Sequence, residues 1–366
     1  MNELSSFISP QFITELQSQG LRLEEPDKNA RRGGAGPSDL KAVTIDGRTV
    51  MIPIFKSSEN ESPFVSCTPN EQGISHIRHS SGRVIPISFP RQPRFYDSKT
   101  ADGIPYSYIA TLHSSDVLAT TVLQSCVRYT NRKKSCQFCA IGQSLEAGRT
   151  ILRKTPAQLA EVAKAAVELD GVKQMIMTTG TPNVTDRGAA ILCESAKAVK
   201  AVVNLPIQGQ CEPPDDDIWF ERMKEAGIDS LGMHLEVVTP EIRAKIMPSK
   251  ADVPLERYMK AFDSAVSVFG HGEVSTYILA GLGDTVDEIL FICEVLIHKG
   301  VYPFVVPFVP IMGTPLENHP SPTPQFMQSI FEPLGAMLKK AGLRSSDAKA
   351  GCAKCGACSA LPSYEV

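Results

Sequence analysis

Residues 117–139 read VLATTVLQSCVRYTNRKKSCQFC and point to both a fold class and a functional site. The first seven residues are apolar or β-branched, which is typical of a strand buried on both faces of a parallel sheet. A long loop follows this strand and carries cysteines 126, 136 and 139. In parallel βα folds, the C-terminal ends of the strands carry the ligand-binding and catalytic residues. The segment therefore predicts an α/β fold with a functional loop after its first strand.

Strand and helix patterns alternate after this segment. Thr155-Pro156 begins a helix with an apolar face, and Pro333 should kink or divide the last helix, which runs from Thr323-Pro324 to Ala341. Further strands are expected at 172–177, 205–211, 230–236, 273–281 and 302–310, and further helices at about 187–203, 216–226, 254–269 and 286–299. These six strand–helix units predict a parallel sheet with right-handed crossovers, in either a doubly wound sheet or an incomplete barrel.

The remaining residues flank this pattern. Residues 1–111 predict a small β-rich accessory domain, in which Asp46-Gly47 forms a hairpin turn and the glycine-rich stretch 31–37 forms a mobile loop rather than an anion site. Residues 112–342 form the βα unit, and residues 343–366 form a cysteine-bearing tail rich in alanine, glycine and serine.

Composition excludes several classes of protein. Of the 366 residues 42% are hydrophobic and 21% are charged, which argues against wholesale disorder. The net charge of −3 gives no support for a broad surface that binds nucleic acid or anionic membranes. The N-terminus lacks the pattern of a signal peptide, and no run of 18 apolar residues could span a bilayer. We therefore expect a cytoplasmic protein, in which clustered cysteines indicate metal binding or catalysis rather than disulfides.

The first cysteine group consists of Cys126, Cys136 and Cys139. Three cysteines on one loop can bind a metal ion or an iron–sulfur cluster. Arg128, Arg132, Lys133 and Lys134 lie between them and would favour the thiolate form that metals require. The spacing alone leaves open a zinc site completed by a ligand from elsewhere in the chain.

This cysteine group and its position after the first strand resemble those of the radical S-adenosylmethionine (SAM) enzymes, particularly the biotin-synthase-like branch. The resemblance implies a partial (β/α)6 TIM-type barrel in which Cys126, Cys136 and Cys139 hold three irons of a [4Fe–4S] cluster and SAM binds the fourth. Phe138 matches the aromatic residue that precedes the third cysteine of the family. The nine residues between Cys126 and Cys136 exceed the usual three.

The same resemblance extends to later residues at predicted strand ends. It implies that Thr179 and Gly180, after the second strand, contact the amino group of SAM. It also implies that Glu236, at the end of the fourth strand, helps to hold SAM and that Arg257, about twenty residues later, pairs with the SAM carboxylate. Gly281 and Gly283, after the fifth strand, would lie near the adenine. Other polar residues alternate along strands and could point inward together: Gln208, Gln210 and Glu212; His234 and Glu236; Ser275 and Tyr277.

The tail carries a second group, Cys352, Cys355 and Cys358, spaced as CxxCxxC. This spacing occurs in ferredoxin-type clusters and favours a second [4Fe–4S] cluster, with Cys67 or Cys211 as possible fourth ligand. Half of a zinc ribbon and a tail that binds nothing are the alternatives. The ending also resembles that of a radical SAM family of unassigned function that is associated with nitrilase gene clusters.

As the resemblance implies, the protein would cleave SAM reductively and use a 5′-deoxyadenosyl radical to abstract hydrogen from a small-molecule substrate. An electron donor such as flavodoxin or ferredoxin would be its partner, and the second cluster would donate sulfur, bind substrate or transfer electrons. No catalytic side chain is identified. The rival function is a zinc-binding structural or nucleic-acid-binding module that uses both cysteine groups.

Overall fold

The computed structural model of the protein describes residues 8–25, 33, 38–54 and 62–365. The glycine-rich stretch at 31–37, predicted to form a mobile loop, lies outside the described residues except for Gly33. All ten cysteines lie in the described part of the chain, and none of them forms a disulfide.

Two sheets are present among these residues. The first contains β1 (Arg22–Leu23), β2 (Leu40–Ile45), β3 (Arg48–Pro53), β4 (Phe64–Ser66), β5 (Ile74–His79) and β6 (Val84–Ser88). The second contains β7 (Thr111–His113), β8 (Val117–Thr121), β9 (Gln174–Thr178), β10 (Ile207–Gln210), β11 (Ser230–Gly232), β12 (Val274–Ala280) and β13 (Val301–Pro307).

The helices mostly follow the strands of the second sheet. The α-helices of the described residues are α1 (Pro10–Gln19), α2 (Tyr106–Ile109), α3 (Gln143–Glu146), α4 (Pro156–Asp170), α5 (Ala189–Lys200), α6 (Ile218–Glu225), α7 (Pro240–Ile246), α8 (Leu255–Phe269), α9 (Val286–His298), α10 (Pro324–Ala341) and α11 (Cys352–Cys355). Single-turn 3-10 helices lie at Arg94–Asp97, Lys250–Asp252, Ser345–Asp347 and Leu361–Ser363.

The order of the second sheet is that of an open barrel. Strands β8 to β13 are parallel and follow one another in chain order, whereas a doubly wound sheet would reverse direction partway. Side chains from non-adjacent strands meet on its inner side, where Gln208 Nε2 on β10 donates to Ser275 Oγ on β12 at 3.1 Å. Strand β7 adds an antiparallel edge to β8. The predicted partial (β/α)6 barrel is confirmed.

Local signals explain the elements that the sequence predicted. Thr155 and Gln158 form a capping box at the start of α4, and Pro156 occupies the first helical position. Strands β2 and β3 form the expected hairpin, with Ile45 paired to Arg48 around Asp46-Gly47.

Other expectations were wrong in detail. Helix α10 is not divided at Pro333, because its buried face, which includes Phe331 and Leu334, keeps the helix packed on the core, and the alternative of a kink at Pro333 stays a prediction. The fourth predicted strand is shorter than expected and ends at Gly232. Helices α1 and α7 and strand β7 were not expected at all, because each is short or only weakly patterned.

The tail lies across the inner side of the barrel near the amino ends of its strands. Backbone N–H groups of Ala350 and Gly351 donate to Ser230 Oγ on β11 and Gln174 Oε1 on β9, at 3.2 and 2.7 Å. On the other side, Ser359 Oγ donates to the carbonyl of Val305 on β13 at 2.6 Å. The tail therefore forms a floor under the barrel.

One continuous apolar core runs from the first sheet into the barrel and the tail. The division of the chain at residues 111 and 342 therefore stays a prediction. In the part of the chain that the structure describes, no helix is long and apolar enough to cross a membrane.

Candidate functional site

The first cysteine group lies at the carboxyl ends of the barrel strands. Its three cysteines line one cavity of about 200 Å³, which we call the cysteine-loop cavity. The residues around it come from the loop after β8, the ends of β9 to β11 and the turn that follows α7: Cys126, Arg128, Cys136, Phe138, Cys139, Ile141, Thr178, Thr179, Gly180, Thr181, Gln210, Cys211, Glu212, His234, Glu236 and Lys250. The structure thus brings together seven residues that were predicted for the cluster and SAM.

The chemistry of these thiols fits an iron–sulfur cluster. Burial raises the pKa of Cys136 well above its usual value and raises that of Cys139 to about 11, so both remain protonated unless a metal stabilises the thiolate. Within the described residues, no three cysteine, histidine or carboxylate groups converge on one metal ion. A four-iron cluster places each cysteine on a different iron, so its ligands lie further apart than those of a single ion.

Glu212 anchors the long insertion between Cys126 and Cys136. Its carboxylate accepts from Arg128 Nε and Nη2 at 2.7 and 2.8 Å and from Thr181 Oγ1 at 2.7 Å. Arg187 Nη1 adds a fourth contact at 3.3 Å. A bidentate pair of this kind fixes both position and orientation, so the cysteine loop is tied to the ends of β9 and β10.

This ion cluster is almost fully buried. The side chains of Arg128 and Glu212 are 9% and 8% exposed. Burial opposes ionisation of Glu212, but the hydrogen bonds from Arg128 and the charge of Lys250 outweigh it and lower the pKa of Glu212. Burial likewise opposes the charge of Arg128, and Glu212 reverses the effect and raises the pKa of Arg128. Both groups are therefore charged at neutral pH.

Glu236 pairs with Lys250 beside Cys136. The Lys250 ammonium donates to Glu236 Oε2 at 2.6 Å and to the carbonyl of His234 at 3.0 Å. Burial disfavours the charge on Lys250, yet Glu236 and other nearby groups outweigh it and raise its pKa. Glu236 has a left-handed backbone (φ 65°), which turns it out of the strand direction toward the cavity.

His234 presents a hydrogen-bond donor to the cysteine-loop cavity. Burial, aided by the charge of Lys250, lowers its pKa to about 3, so the ring is neutral. Its Nδ1 accepts from the backbone N–H of Tyr277 at 3.2 Å. The hydrogen of the neutral ring is therefore on Nε2.

Gly180 permits the close approach of the cysteine loop to β9. A Cβ atom at this position would lie 1.9 Å from the carbonyl oxygen of Ser125, which precedes Cys126. Only glycine leaves room for that backbone contact, so Gly180 positions the loop whether or not it also contacts SAM.

Gly180→Ala should displace Ser125 and Cys126 and destabilise the protein by about 1–3 kcal/mol. We expect a lower thermal midpoint and a reduced iron content after anaerobic reconstitution. Gly171→Ala is the control: it is strained by its φ of 65° but has open space around its Cβ. Its cost should be about 1 kcal/mol without loss of iron. Wild-type iron content in Gly180→Ala protein would contradict this assignment.

Three predicted SAM contacts lie elsewhere. Arg257 Nη2 donates to Asp217 Oδ1 at 2.6 Å, and Arg257 is not among the residues that line the cysteine-loop cavity. Gly281 and Gly283 have φ values of 108° and 127° and form the turn before Asp284, which accepts from the backbone N–H of Val238 at 2.9 Å. The roles predicted for Arg257, Gly281 and Gly283 stay predictions.

A second, larger cavity of about 360 Å³ adjoins the first, and we call it the central cavity. The two cavities share Phe138, Gln210, His234 and Glu236. Apolar side chains dominate the remaining wall, which includes residues of the first sheet. Cys352 and Cys358 of the tail also line it. The central cavity therefore lies between the cysteine-loop cavity and two of the three tail cysteines.

The tail sulfurs lie against polar groups of the barrel. Gln210 Nε2 donates to Cys352 Sγ at 3.2 Å and to Gln208 Oε1 at 2.7 Å. The Tyr277 hydroxyl also hydrogen-bonds to the Cys352 sulfur. The predicted inward direction of Gln208, Gln210 and Glu212 is confirmed. Gly351 makes the approach possible, since a Cβ there would lie 2.2 Å from Gln208 Nε2.

The remaining cysteines have other surroundings. Cys193 and Cys293 are buried in α5 and α9, as expected. Cys211 lines the cysteine-loop cavity, and Cys67 follows β4 in the first sheet. Neither has a recorded contact with a tail sulfur in the described structure. A histidine does lie beside the tail cysteines: Nε2 of His113 is 3.6 Å from Cys358 Sγ.

Sequence reasoning missed Lys250 and His113 and gave Arg128 only a general electrostatic role. Lys250 lies in a single-turn 3-10 helix, and His113 ends a three-residue strand. Neither position belongs to a periodic pattern. For Arg128 the signal was present, because an inward Glu212 needs a buried cation as partner.

Comparison with known proteins gives a family match within the barrel. Residues 128–296 match the family model of the Radical SAM superfamily. The bacteriochlorophyllide c C-7(1)-hydroxylase of Chlorobaculum limnaeum is 26% identical over 261 residues, covering 66% of this chain and 64% of that protein. The [FeFe] hydrogenase maturase subunit HydE of Thermotoga maritima is 26% identical and covers 51% of each chain.

A solved structure, that of methylornithine synthase (PylB), matches 62% of this chain and 63% of that chain with 18% identity and a TM-score of 0.48. The chain spans about half to two thirds of the length of these two curated relatives. These matches do not bear on the association with nitrilase gene clusters, which stays a prediction.

Proposed function

Since the chain carries a radical SAM domain, we propose that it is an enzyme that cleaves SAM reductively and uses the resulting radical on a small molecule. One observation carries this proposal: Cys126, Cys136 and Cys139 line a single cavity with Thr179, Gly180 and Glu236 at the carboxyl ends of the strands. Cys126, Cys136 and Cys139 would hold a [4Fe–4S] cluster, which would supply the electron for reductive cleavage of SAM.

The chain's own residues hold and shield this site. The pair formed by Arg128 and Glu212 fixes the cysteine loop, and Gly180 lets that loop approach β9. Glu236, held by Lys250, offers a carboxylate to the ammonium group of SAM. Phe138 lies between the two cavities and separates the cysteines from the apolar volume beyond.

The central cavity is the proposed substrate site. It borders the cysteine-loop cavity, so a substrate bound there would lie next to SAM, and its mostly apolar wall limits access of water to a reactive intermediate. Gln210, His234 and Tyr277 are the polar groups that could orient a substrate. A volume of about 360 Å³ suits a small metabolite rather than a macromolecule.

The tail cysteines are proposed to hold a second [4Fe–4S] cluster at the floor of the central cavity. Burial raises the pKa of Cys355 to about 12 and that of Cys358 well above its usual value, so these thiols also need a metal to become thiolates. Since Cys352 and Cys358 line the central cavity, the second cluster would lie beside the substrate. A zinc-binding scaffold is not favoured, because it explains neither the radical SAM domain nor a cavity that adjoins the cysteine-loop cavity and is lined by Cys352 and Cys358.

The test is anaerobic incubation of the reconstituted protein with SAM and a strong reductant. We expect 5′-deoxyadenosine and methionine as products. With the correct small molecule, deuterium should pass from a labelled substrate into 5′-deoxyadenosine. A colourless protein that binds zinc and leaves SAM intact would sink the proposal.

Cys355→Ala should remove the second cluster and leave the first. About four of about eight irons should be lost, and SAM cleavage without substrate should continue, because Cys355 does not line the cysteine-loop cavity. Iron and sulfide analysis with a 5′-deoxyadenosine assay measures both effects. Retention of eight irons would refute the second cluster.

A further inference from the structure

The turn between β7 and β8 brings two polar residues to the tail cysteines. His113 is the last residue of β7, and its Nε2 lies 3.6 Å from Cys358 Sγ. Ser114, the next residue, hydrogen-bonds to the sulfur of Cys355. The antiparallel pairing of His113 with Val117 fixes this turn at the edge of the barrel. The hairpin is therefore part of the wall around the tail cysteines.

The groups that contact the tail sulfurs differ in chemistry. Gln210, Tyr277 and Ser114 offer an amide and two hydroxyl groups, which serve as hydrogen-bond donors to sulfur. His113 offers an imidazole nitrogen, which is the commonest protein ligand of transition metals. In the described structure, the imidazole of His113 makes its polar contact with Cys358. Histidine commonly completes a metal site that contains three cysteines. Among the described residues that contact the tail sulfurs, only His113 is a histidine.

His234 is the rival histidine, because it lines the central cavity together with Cys352 and Cys358. Its Nδ1 is occupied by the backbone N–H of Tyr277, and its ring packs on Tyr277 with centroids 4.8 Å apart. The described structure records no contact between His234 and a tail sulfur. His113 is therefore the better placed of the two.

We propose that His113 is the fourth protein ligand of the tail centre, completing a set of three cysteines and one histidine. This inference rests on the proposed function only in requiring that the tail binds a metal centre, and it does not depend on SAM chemistry. With four protein ligands the centre has no open position for substrate. It would then act by electron transfer or by giving up sulfur, and a histidine ligand should raise its reduction potential relative to an all-cysteine set.

The experiment uses a parent protein in which Cys126→Ala, Cys136→Ala and Cys139→Ala leave only the tail group. After anaerobic reconstitution and reduction, pulsed electron paramagnetic resonance compares protein made with ¹⁵N-histidine and with unlabelled histidine. We expect a strongly coupled histidine nitrogen that is lost in His113→Ala and His113→Cys and is retained in His76→Ala, a change at an exposed residue. His113→Cys should keep the iron and lower the midpoint potential, which separates ligation from folding.

Two results would overturn the proposal. One is a parent centre that contains iron but shows no coupled histidine nitrogen. The other is a coupling that survives His113→Ala, including one that depends on His234 instead. A parent that binds no metal would overturn both this proposal and the second cluster. By contrast, a wild-type protein that makes no 5′-deoxyadenosine would defeat the radical function and leave the ligand result intact.

Discussion

Cys136→Ala protein is expected to form no measurable 5′-deoxyadenosine from SAM under reducing, anaerobic conditions. Cys136 lines the cysteine-loop cavity together with the other two cysteines and lies beside Glu236 and Lys250. Its loss removes one of three protein ligands, so the first cluster should not assemble. We expect the rate to fall at least about a thousandfold, equivalent to about 4 kcal/mol of transition-state stabilisation. Liquid chromatography of the reaction mixture measures the product.

Iron content and a matched cysteine variant control this experiment. Cys136→Ala protein should keep about four irons, those of the tail, if the second cluster forms independently. Cys67→Ala is the control, because Cys67 lies in the region of the first sheet and lines neither the cysteine-loop nor the central cavity. It should retain wild-type activity and iron. A wild-type rate in Cys136→Ala protein would show that the cysteine loop is not the site of SAM cleavage.

Glu212→Gln should destabilise the protein by about 3 kcal/mol, because it leaves the buried Arg128 without a countercharge, whereas Arg187 keeps its ion pair with Asp215 at 2.8 Å. Arg128 and Arg187 both contact this carboxylate, and their side chains are 9% and 10% exposed. Since Arg128 lies within the cysteine loop, cluster assembly should also suffer. Thermal or urea unfolding under anaerobic conditions, with iron analysis, measures both effects. Glu225→Gln, at an exposed residue of α6, should change stability by less than about 0.5 kcal/mol.

The pH dependence gives an independent check on Glu212. Its pKa in the folded protein is lowered, so its contribution to stability is complete above the ordinary pKa of glutamate. That contribution is lost as the pH falls through the lowered folded value. Wild-type stability should therefore drop more steeply in acid than that of Glu212→Gln protein. Parallel acid profiles of the two proteins would contradict the ionised, buried carboxylate.

The barrel could be predicted because its parallel strands are short apolar runs between helices with clear caps. Strands 174–178 and 274–280 fall almost where the apolar runs indicate them. The cysteine spacing and its position after the first strand also located the cysteine-loop cavity. These are local signals, and a single sequence carries them directly.

Other parts of the site depend on contacts that no local pattern encodes. Gly351 contacts Gln174, 177 residues away in sequence, and this contact sets the path of the tail across the barrel. Lys250 becomes a partner of Glu236 only because a single-turn helix folds back over the strand ends. His113 lies on an edge strand too short for an alternating pattern. The side chain of Arg257 pairs with Asp217, and the SAM contact that the family resemblance implies for Arg257 stays a prediction.

The path of the tail has a consequence for biosynthesis. Residues 350–361 form the floor of the central cavity, yet they follow all six parallel strands in the order of translation. At about 5–20 residues per second, the ribosome completes β13 seconds before the floor appears. During that interval the barrel is open at its amino end, so the cavity can close only after residues 350–361 have left the ribosome. The proposed shielding of a radical would therefore begin only once residues 350–361 have docked on the barrel.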